Sequence, residues 1–332
     1  MIKKTLYALL LVVLVVAPFA GVYPVFVMKV LCFALFASAF NLLIGYTGLL
    51  SFGHAAFLAS AGYTTGYVIK TYGVTPELGV LAGTVAASLL GLVAGVFAIR
   101  RQGIYFAMVT LALAQLLYFI FLQAPFTGGE DGLQGVPRGR LFGVVDLGSD
   151  LTLYYVVLLV VTLAFALIVR IVHSPFGQVL TAIRENEGRA ISLGYRSDAF
   201  KLLAFVLSAG LAGLAGALKT LVLGFETLGD GYWTMSGLVV LMTLVGGMGT
   251  LFGPLVGALV IVALEDRLGD IGEGLASLTG VGAFRSLGES VTTVTGLIFI
   301  LCVLAFRRGI VGEVVARVGL LGGVRGATKE PG

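Results

Sequence analysis

The chain has 332 residues, of which 58% are hydrophobic and only 11% charged, with a formal net charge of +4. A soluble domain carries about 25% charged residues to keep its surface wetted, so this composition excludes a soluble globular protein. Its two cysteines, Cys32 and Cys302, lie in apolar segments outside any CxxC or His-rich pattern, which excludes a disulfide or metal framework and makes both small core residues.

Apolar runs of the length that crosses a bilayer, about 20 residues of helix, recur along the chain. The first, 5–22, follows Lys3 and Lys4 and imitates a signal peptide. Pro18 in the would-be cleavage site, and the apolar sequence that follows, point to an uncleaved span. Further spans are expected at 25–44, 49–69, 78–99, 103–122, 151–172, 202–223, 234–246, 252–266 and 289–306. The segments 234–246 and 252–266 are short for full crossings. They are expected to be half-helices of a re-entrant pair, broken at Gly246-Gly247-Met248-Gly249. The fold class that follows is an all-α polytopic membrane protein of about 8–10 transmembrane helices, broken or re-entrant segments included.

Cytoplasmic loops of membrane proteins are enriched in Lys and Arg. Lys3 and Lys4, Arg100 and Arg101, the basic residues of the 174–201 loop and those of the 309–332 tail all fall on one side if the spans alternate. The acidic outer loop 123–150 falls on the other. Residues 1–308 therefore read as a single transmembrane domain with both termini cytoplasmic, in a cell (inner) membrane. Glycine is abundant, at 48 residues, and much of it recurs at helical spacing, as at Gly210, Gly213 and Gly216. Small residues on one face let helix backbones approach in lipid, so this pattern signals packing.

Three stretches depart from plain membrane helix. Asn41 to Ala56, NLLIGYTGLLSFGHAA, places polar side chains among glycines at membrane depth, where freed backbone groups must face protein or a water-filled cavity. His54 either lines a solute path or fixes helix packing. The candidate path comprises Asn41, Gly45, Ser51, Gly53, His54, Gly249 and Gly253. Ser51 to His54 and Gly246 to Gly253 are expected to approach each other near the membrane middle, as two halves of a weak pseudo-repeat, GYTGLLSFG against GGMGTLFG.

In the outer loop, TGGEDGLQGVPR (127–138) sets glycines beside Asp131 and Pro137, a composition that specifies defined turns. Gly128, Gly129, Asp131 and Gly132 are candidate contacts for a soluble partner that delivers solute; the alternative is a simple spacer between spans. The third stretch is SPFGQVLTAIRENEGRAISLG (174–194). Ser174-Pro175 marks a helix start, Val179 to Leu193 reads as one amphipathic helix, and Gly194 is its stop.

With these motifs in view, the chain resembles the LivM family of ABC-importer permeases, which handle branched-chain amino acids and have urea and short-amide permeases as close relatives. The likeness is carried by GYTGLLSFGHAAF (45–57), TGGEDGLQGVP (127–137), SPFGQVLTAIRENE…LG (174–194) and GGMGTLFGPLVGA (246–258), and runs from about residue 30 to 308. The resemblance implies an ABC-importer permease fold and makes the third stretch a coupling helix seated on an ATPase subunit. Ile183, Arg184, Glu185, Asn186, Glu187 and Gly194 are then its coupling residues. Glu185, Ala190 and Gly194 fit the general "EAA…G" pattern, although Asn186 and Glu187 replace its two alanines. The implied partners are a LivH-like second permease, two ABC ATPase subunits and a soluble substrate-binding protein. No cofactor, metal or nucleic acid is implied.

Rival readings fit less well. GLAGALKT (213–220) puts Leu218 where a phosphate-binding loop needs glycine, and it sits inside an apolar span, so no ATPase site of the chain's own is expected. An ion-coupled secondary transporter calls for acidic residues within the spans, and Glu265 lies only at a span's end. An intramembrane enzyme needs a nucleophile with its base, or clustered metal ligands, and the sequence has only His54 and His173 with no HExxH.

Overall fold

Proline starts and glycine stops divide the apolar sequence into helices. In the computed structural model, which describes residues 12–279, 294, 296, 297, 300 and 309–313, helix α1 spans Pro24–Thr47. Pro24 occupies its first turn, where a missing N–H breaks no helical bond. The helix ends at Gly48, whose φ of 75° disfavours any side chain and whose N–H closes the last turn on the Ile44 carbonyl. There follow α2 (His54–Tyr72), α3 (Pro76–Ala98) and α4 (Ile104–Gln123), then a short hairpin of β1 (Arg140–Leu141) and β2 (Val145–Asp146). Helix α5 (Asp150–Val172) leads into two short helices, α6 (Pro175–Glu185) and α7 (Glu187–Ser192). Helices α8 (Ser197–Leu223), α9 (Trp233–Gly246) and α10 (Gly253–Thr279) complete the described order.

Five of these helices, α1, α3, α4, α5 and α8, are long and apolar enough to cross a bilayer. The chain is a multi-pass, all-α membrane protein, its only described strands being the two-residue pair of the hairpin. Helix α1 is apolar on every face and buried on nearly every face, as expected of a helix enclosed by others. Met28, Phe36, Phe40, Leu42 and Leu43 on it have no exposed surface. Around it pack α5, α8, α9 and α10, while α8 also covers α2 and α3. The exposed apolar residues of α3, α4 and α5, such as Leu89, Met108 and Leu163, face outward, where lipid replaces water.

The glycine stripe of α8 works as its spacing suggests. A Cβ on Gly213 would stand 3.3 Å from that of Ala61, and one on Gly216 would stand 3.0 Å from the Leu58 Cα, so α8 and α2 touch backbone to backbone. Helices α9 and α10 do the same, since a Cβ on Gly257 would reach within 3.0 Å of the Gly246 nitrogen.

One expectation needs correction. The expected span 252–266 is not a half-helix: starting at Gly253-Pro254, α10 runs through 27 described residues, or about 40 Å at 1.5 Å per residue. Only α9, with 14 residues, is short. The chain break after α1 follows a helix of 24 residues, about 36 Å long. Residues 289–306, most of the 309–332 tail and the start of 5–22 lie largely outside the described residues.

Candidate functional site

At one end of α1 three pieces of chain converge: the 48–53 connection, the 247–252 connection and helix α6. Each connection joins two helices and has the same length, which gives the suspected pseudo-repeat a common helix–break–helix outline. Gly247 and Gly249, with φ of 119° and 73°, supply the left-handed backbone that turns the second connection. Thr250 steadies that turn, its Oγ1 donating to the Gly247 carbonyl at 2.8 Å and accepting from the Gly253 N–H at 3.0 Å.

Asn41, one and a half turns before the end of α1, clasps the second break. Its Nδ2 donates to the Thr250 carbonyl at 2.9 Å, and its Oδ1 accepts from the Gly249 N–H at 2.9 Å. An amide side chain is suited to this, because it offers a donor and an acceptor to a peptide edge at once. Gly45 leaves room for the contact: a Cβ there would lie 2.9 Å from the Gly249 nitrogen. The residues that meet the second break are therefore Asn41 and Gly45, inside α1, and not the expected Ser51 to His54.

Ser51, Gly53 and His54 turn elsewhere. The Ser51 Oγ accepts from the Gly53 N–H at 3.1 Å and shapes the start of α2. Gly53 lies against Thr110 of α4, whose Oγ1 accepts from the Phe52 N–H at 3.1 Å. His54 is wholly buried, its ring edge-on to Phe40, Phe57 and Phe205. Its Nε2 lies 2.8 Å from the Ser208 Oγ, which in turn donates to the Ala39 carbonyl at 2.6 Å. Since that serine's single proton goes to Ala39, the histidine donates from Nε2. His54 thus joins α2, through Ser208 of α8, to the Ala39 carbonyl of α1.

Helix α6 reaches the same junction from the side. Its N-cap is Ser174, whose Oγ accepts from the Gly177 N–H. Leu180 and Ile183 are buried against the protein, and Arg184 Nη1 donates to the Gly45 carbonyl. The Arg184 Cγ stands 3.3 Å from where a Cβ of Gly48 would be, and Nη1 stands 3.5 Å from that of Gly249. One arginine side chain therefore lies beside both breaks, its stem by Gly48 and its guanidinium by Gly249.

The single helix expected from Val179 to Leu193 is two helices. Asn186 is extended, with φ of −158° and ψ of 96°, and its Oδ1 accepts from the Arg189 N–H at 2.9 Å, so it caps α7 instead of continuing α6. Gly194, with φ of 91°, stops α7 as expected. Ala190 is buried, whereas Ile191 and Leu193 are exposed. Glu185 is exposed, but Glu187 is an anchor: it pairs with Lys201 of α8 at 2.5 Å and accepts from Gln102 Nε2 at 3.1 Å.

At the far ends of the helices, the 127–136 segment is ordered by glycine. Gly128, Gly129 and Gly132 all have positive φ, and a Cβ on Gly132 would lie 3.1 Å from the Thr227 Cα. Asp131 is exposed, and Gly132 is buried at the base. Leu133 and Glu226 exchange both backbone hydrogen bonds at 2.9 Å, pinning this segment to the loop after α8. Under it lies a group that reading the sequence passed over, Lys219 with Glu226 and Asp230. A lysine inside an apolar span, followed by acids seven and eleven residues on, was the available signal.

The chain matches the family model described as "Branched-chain amino acid transport system / permease component" over residues 25–303. It is 30% identical to the high-affinity branched-chain amino acid transport system permease protein LivM of Salmonella typhimurium, over 82% of this chain and 70% of that one. The Escherichia coli LivM gives the same identity and coverage. At 27% identity, over 63% of this chain and 62% of the relative, it is also similar to the autoinducer 2 import system permease protein LsrC of Salmonella choleraesuis. No solved structure matches. With 25–303 taking in both breaks, α6 and the clasp between them, the chain belongs to the family of branched-chain amino acid transport permeases.

Proposed function

We propose that this chain is the membrane-spanning permease subunit of an ATP-driven importer that moves leucine, isoleucine and valine delivered by a soluble binding protein. A second, LivH-like permease completes the pathway, and two separate ATPase subunits supply the energy. The observation that carries the reading is Arg184. It extends from α6, the segment likened to a coupling helix, to the Gly45 carbonyl and to the edge of Gly249. A push on α6 by an ATPase therefore acts at once on the connections that hold α1, α2, α9 and α10 together. On this reading α6, α7 and both termini are cytoplasmic, and Gly128, Gly129 and Asp131 lie on the outer surface where the binding protein docks, with Gly132 buried beneath them shaping that surface.

The similarity to LsrC favours a second reading of the solute, because that relative is named for autoinducer 2 import. Urea or short amides are the third solute class. The purified chain should hydrolyse no ATP, and proteoliposomes should take up solute only when both ATPases and the second permease are present. Uptake by the chain alone would sink the assignment. The solute is settled by isotope binding to the partner binding protein, with leucine, isoleucine and valine expected to bind and autoinducer 2 and urea expected not to.

A further inference from the structure

Lys219, in the last turns of α8, is buried between two carboxylates. Its Nζ is 2.6 Å from Asp230 Oδ2 and 3.4 Å from Glu226 Oε2. Glu226 has no exposed surface, and its side chain enters between α8 and α2, with Cδ 2.5 Å from where a Cβ of Gly62 would stand. One ammonium cannot neutralise two buried carboxylates, and the shorter contact gives it to Asp230. Leaving the second carboxylate ionised in such a place is costly, and the remedy is protonation.

The hydroxyl of Thr220 points the same way. Its Oγ1 lies 3.1 Å from the Gly216 carbonyl and 2.6 Å from Glu226 Oε2, two acceptors for a single proton. If Glu226 is ionised, one of these contacts sets acceptor against acceptor. If Glu226 carries a proton on Oε2, it donates to Thr220, which donates to Gly216, and every contact is satisfied. The other oxygen, Oε1, has no partner among the described residues, and a carbonyl oxygen tolerates that better than half a carboxylate does. The hydroxyl of Tyr63 on α2, coupled electrostatically to both acids, is likewise buried without a partner.

We propose that Glu226 is a proton-binding site, and that its proton latches the 127–136 segment to the loop after α8. The backbone of the same residue makes the paired hydrogen bonds to Leu133, so the side chain's charge and the position of the segment are mechanically joined. The groups facing it are Lys219 from α8, Asp230 from the following loop and Tyr63 from α2. Tyr118 of α4 lies beyond Tyr63, and Cys32 of α1 is coupled to Lys219. Burial pushes the Glu226 carboxyl up to about 8, with Lys219 pulling the other way and Asp230 adding to the rise. The folded chain thus favours the protonated form. The latch is intact at low pH, weakens as unfolded carboxyls ionise above their usual range, and is lost as pH rises through about 8.

The test needs no transport. Trp233, the only tryptophan, begins α9 directly after this loop and its ring lies against Tyr232. In the full chain in lipid nanodiscs, titrated from pH about 6 to about 9.5, tryptophan emission should shift with a midpoint near 8. Glu226→Gln should show no such transition. Asp230→Asn leaves Lys219 free to pair with Glu226, so proton binding should weaken at least tenfold and the midpoint fall by about one unit. A flat wild-type trace, or a transition unchanged in Glu226→Gln, overturns the proposal. Should Glu226→Gln not fold, infrared titration of the protonated carboxyl band in wild type and Asp230→Asn decides: equal midpoints, or no such band, overturn it as well. None of these outcomes touches the permease assignment, which rests on uptake by the assembled importer.

Discussion

Replacing Ile183 with proline should abolish transport and reduce solute-stimulated ATP hydrolysis to its basal level, while the protein still reaches the membrane. Ile183 lies in the second half of α6, where proline removes the N–H that bonds the Val179 carbonyl and clashes with that turn. The local cost is about 3 kcal/mol or more, enough to unwind a helix of 11 residues. Two contacts go with it. The buried Ile183 side chain leaves its seat, and Arg184, the next residue, loses the backbone that aims it at the Gly45 carbonyl. Ile183→Val is the control, since it keeps the helix and loses only about 0.5–1.5 kcal/mol of packing. If the proline variant still shows full solute-stimulated hydrolysis in proteoliposomes, the 174–194 segment is not the transmission element.

Asn41→Leu should cut uptake at least tenfold and lower the melting temperature. Leucine fills the site without offering a donor or acceptor. The Gly249 N–H and the Thr250 carbonyl then lose their partners in a partly buried place, at about 1 kcal/mol each. The loss falls on the clasp between α1 and the α9–α10 connection, so the breaks should separate before the helices do. Asn41→Asp retains the acceptor for Gly249 but not the donor for Thr250, and should fall between wild type and leucine. Uptake by the leucine variant within about twofold of wild type, a difference under about 0.5 kcal/mol, would show that the clasp has no part in transport.

Most of the helices were legible because their signals are local. Pro24, Pro76 and Pro175 mark starts, Gly48, Gly73, Gly194 and Gly224 mark stops, and the apolar runs between them are long. The division of α6 from α7 was also written locally, in Asn186, a residue that caps helices more readily than it continues them. It was passed over because the apolar pattern runs straight through it.

What sequence reading could not reach is pairing at a distance. Asn41 meets Thr250 across more than two hundred residues, and no spacing rule joins them. The surroundings of His54, Ser208 and three aromatic rings, likewise come in part from distant segments, Ser208 and Phe205 lying about 150 residues on. Glu226 and Asp230 follow α8 in a loop, where charges are ordinarily exposed, yet both are buried. Burial depends on what the 127–136 segment folds over, and charge patterning along the chain does not record that.

Helix α2 has a consequence for how the chain is made. It is not among the five described helices apolar enough to cross a bilayer unaided, and it carries His54, Ser60 and Thr65 on buried faces. During synthesis it leaves the ribosome well before α8, the helix that will supply Ser208 and cover its glycines. In the interval those polar groups would meet hydrocarbon, which penalises each of them. Helix α1 ahead of it and α3 behind it are both strongly apolar, and Thr65 already bonds the Gly79 carbonyl of α3 at 3.1 Å. Insertion of α2 therefore leans on α3, the neighbour it packs against, until α8 arrives to supply Ser208 and cover its glycines.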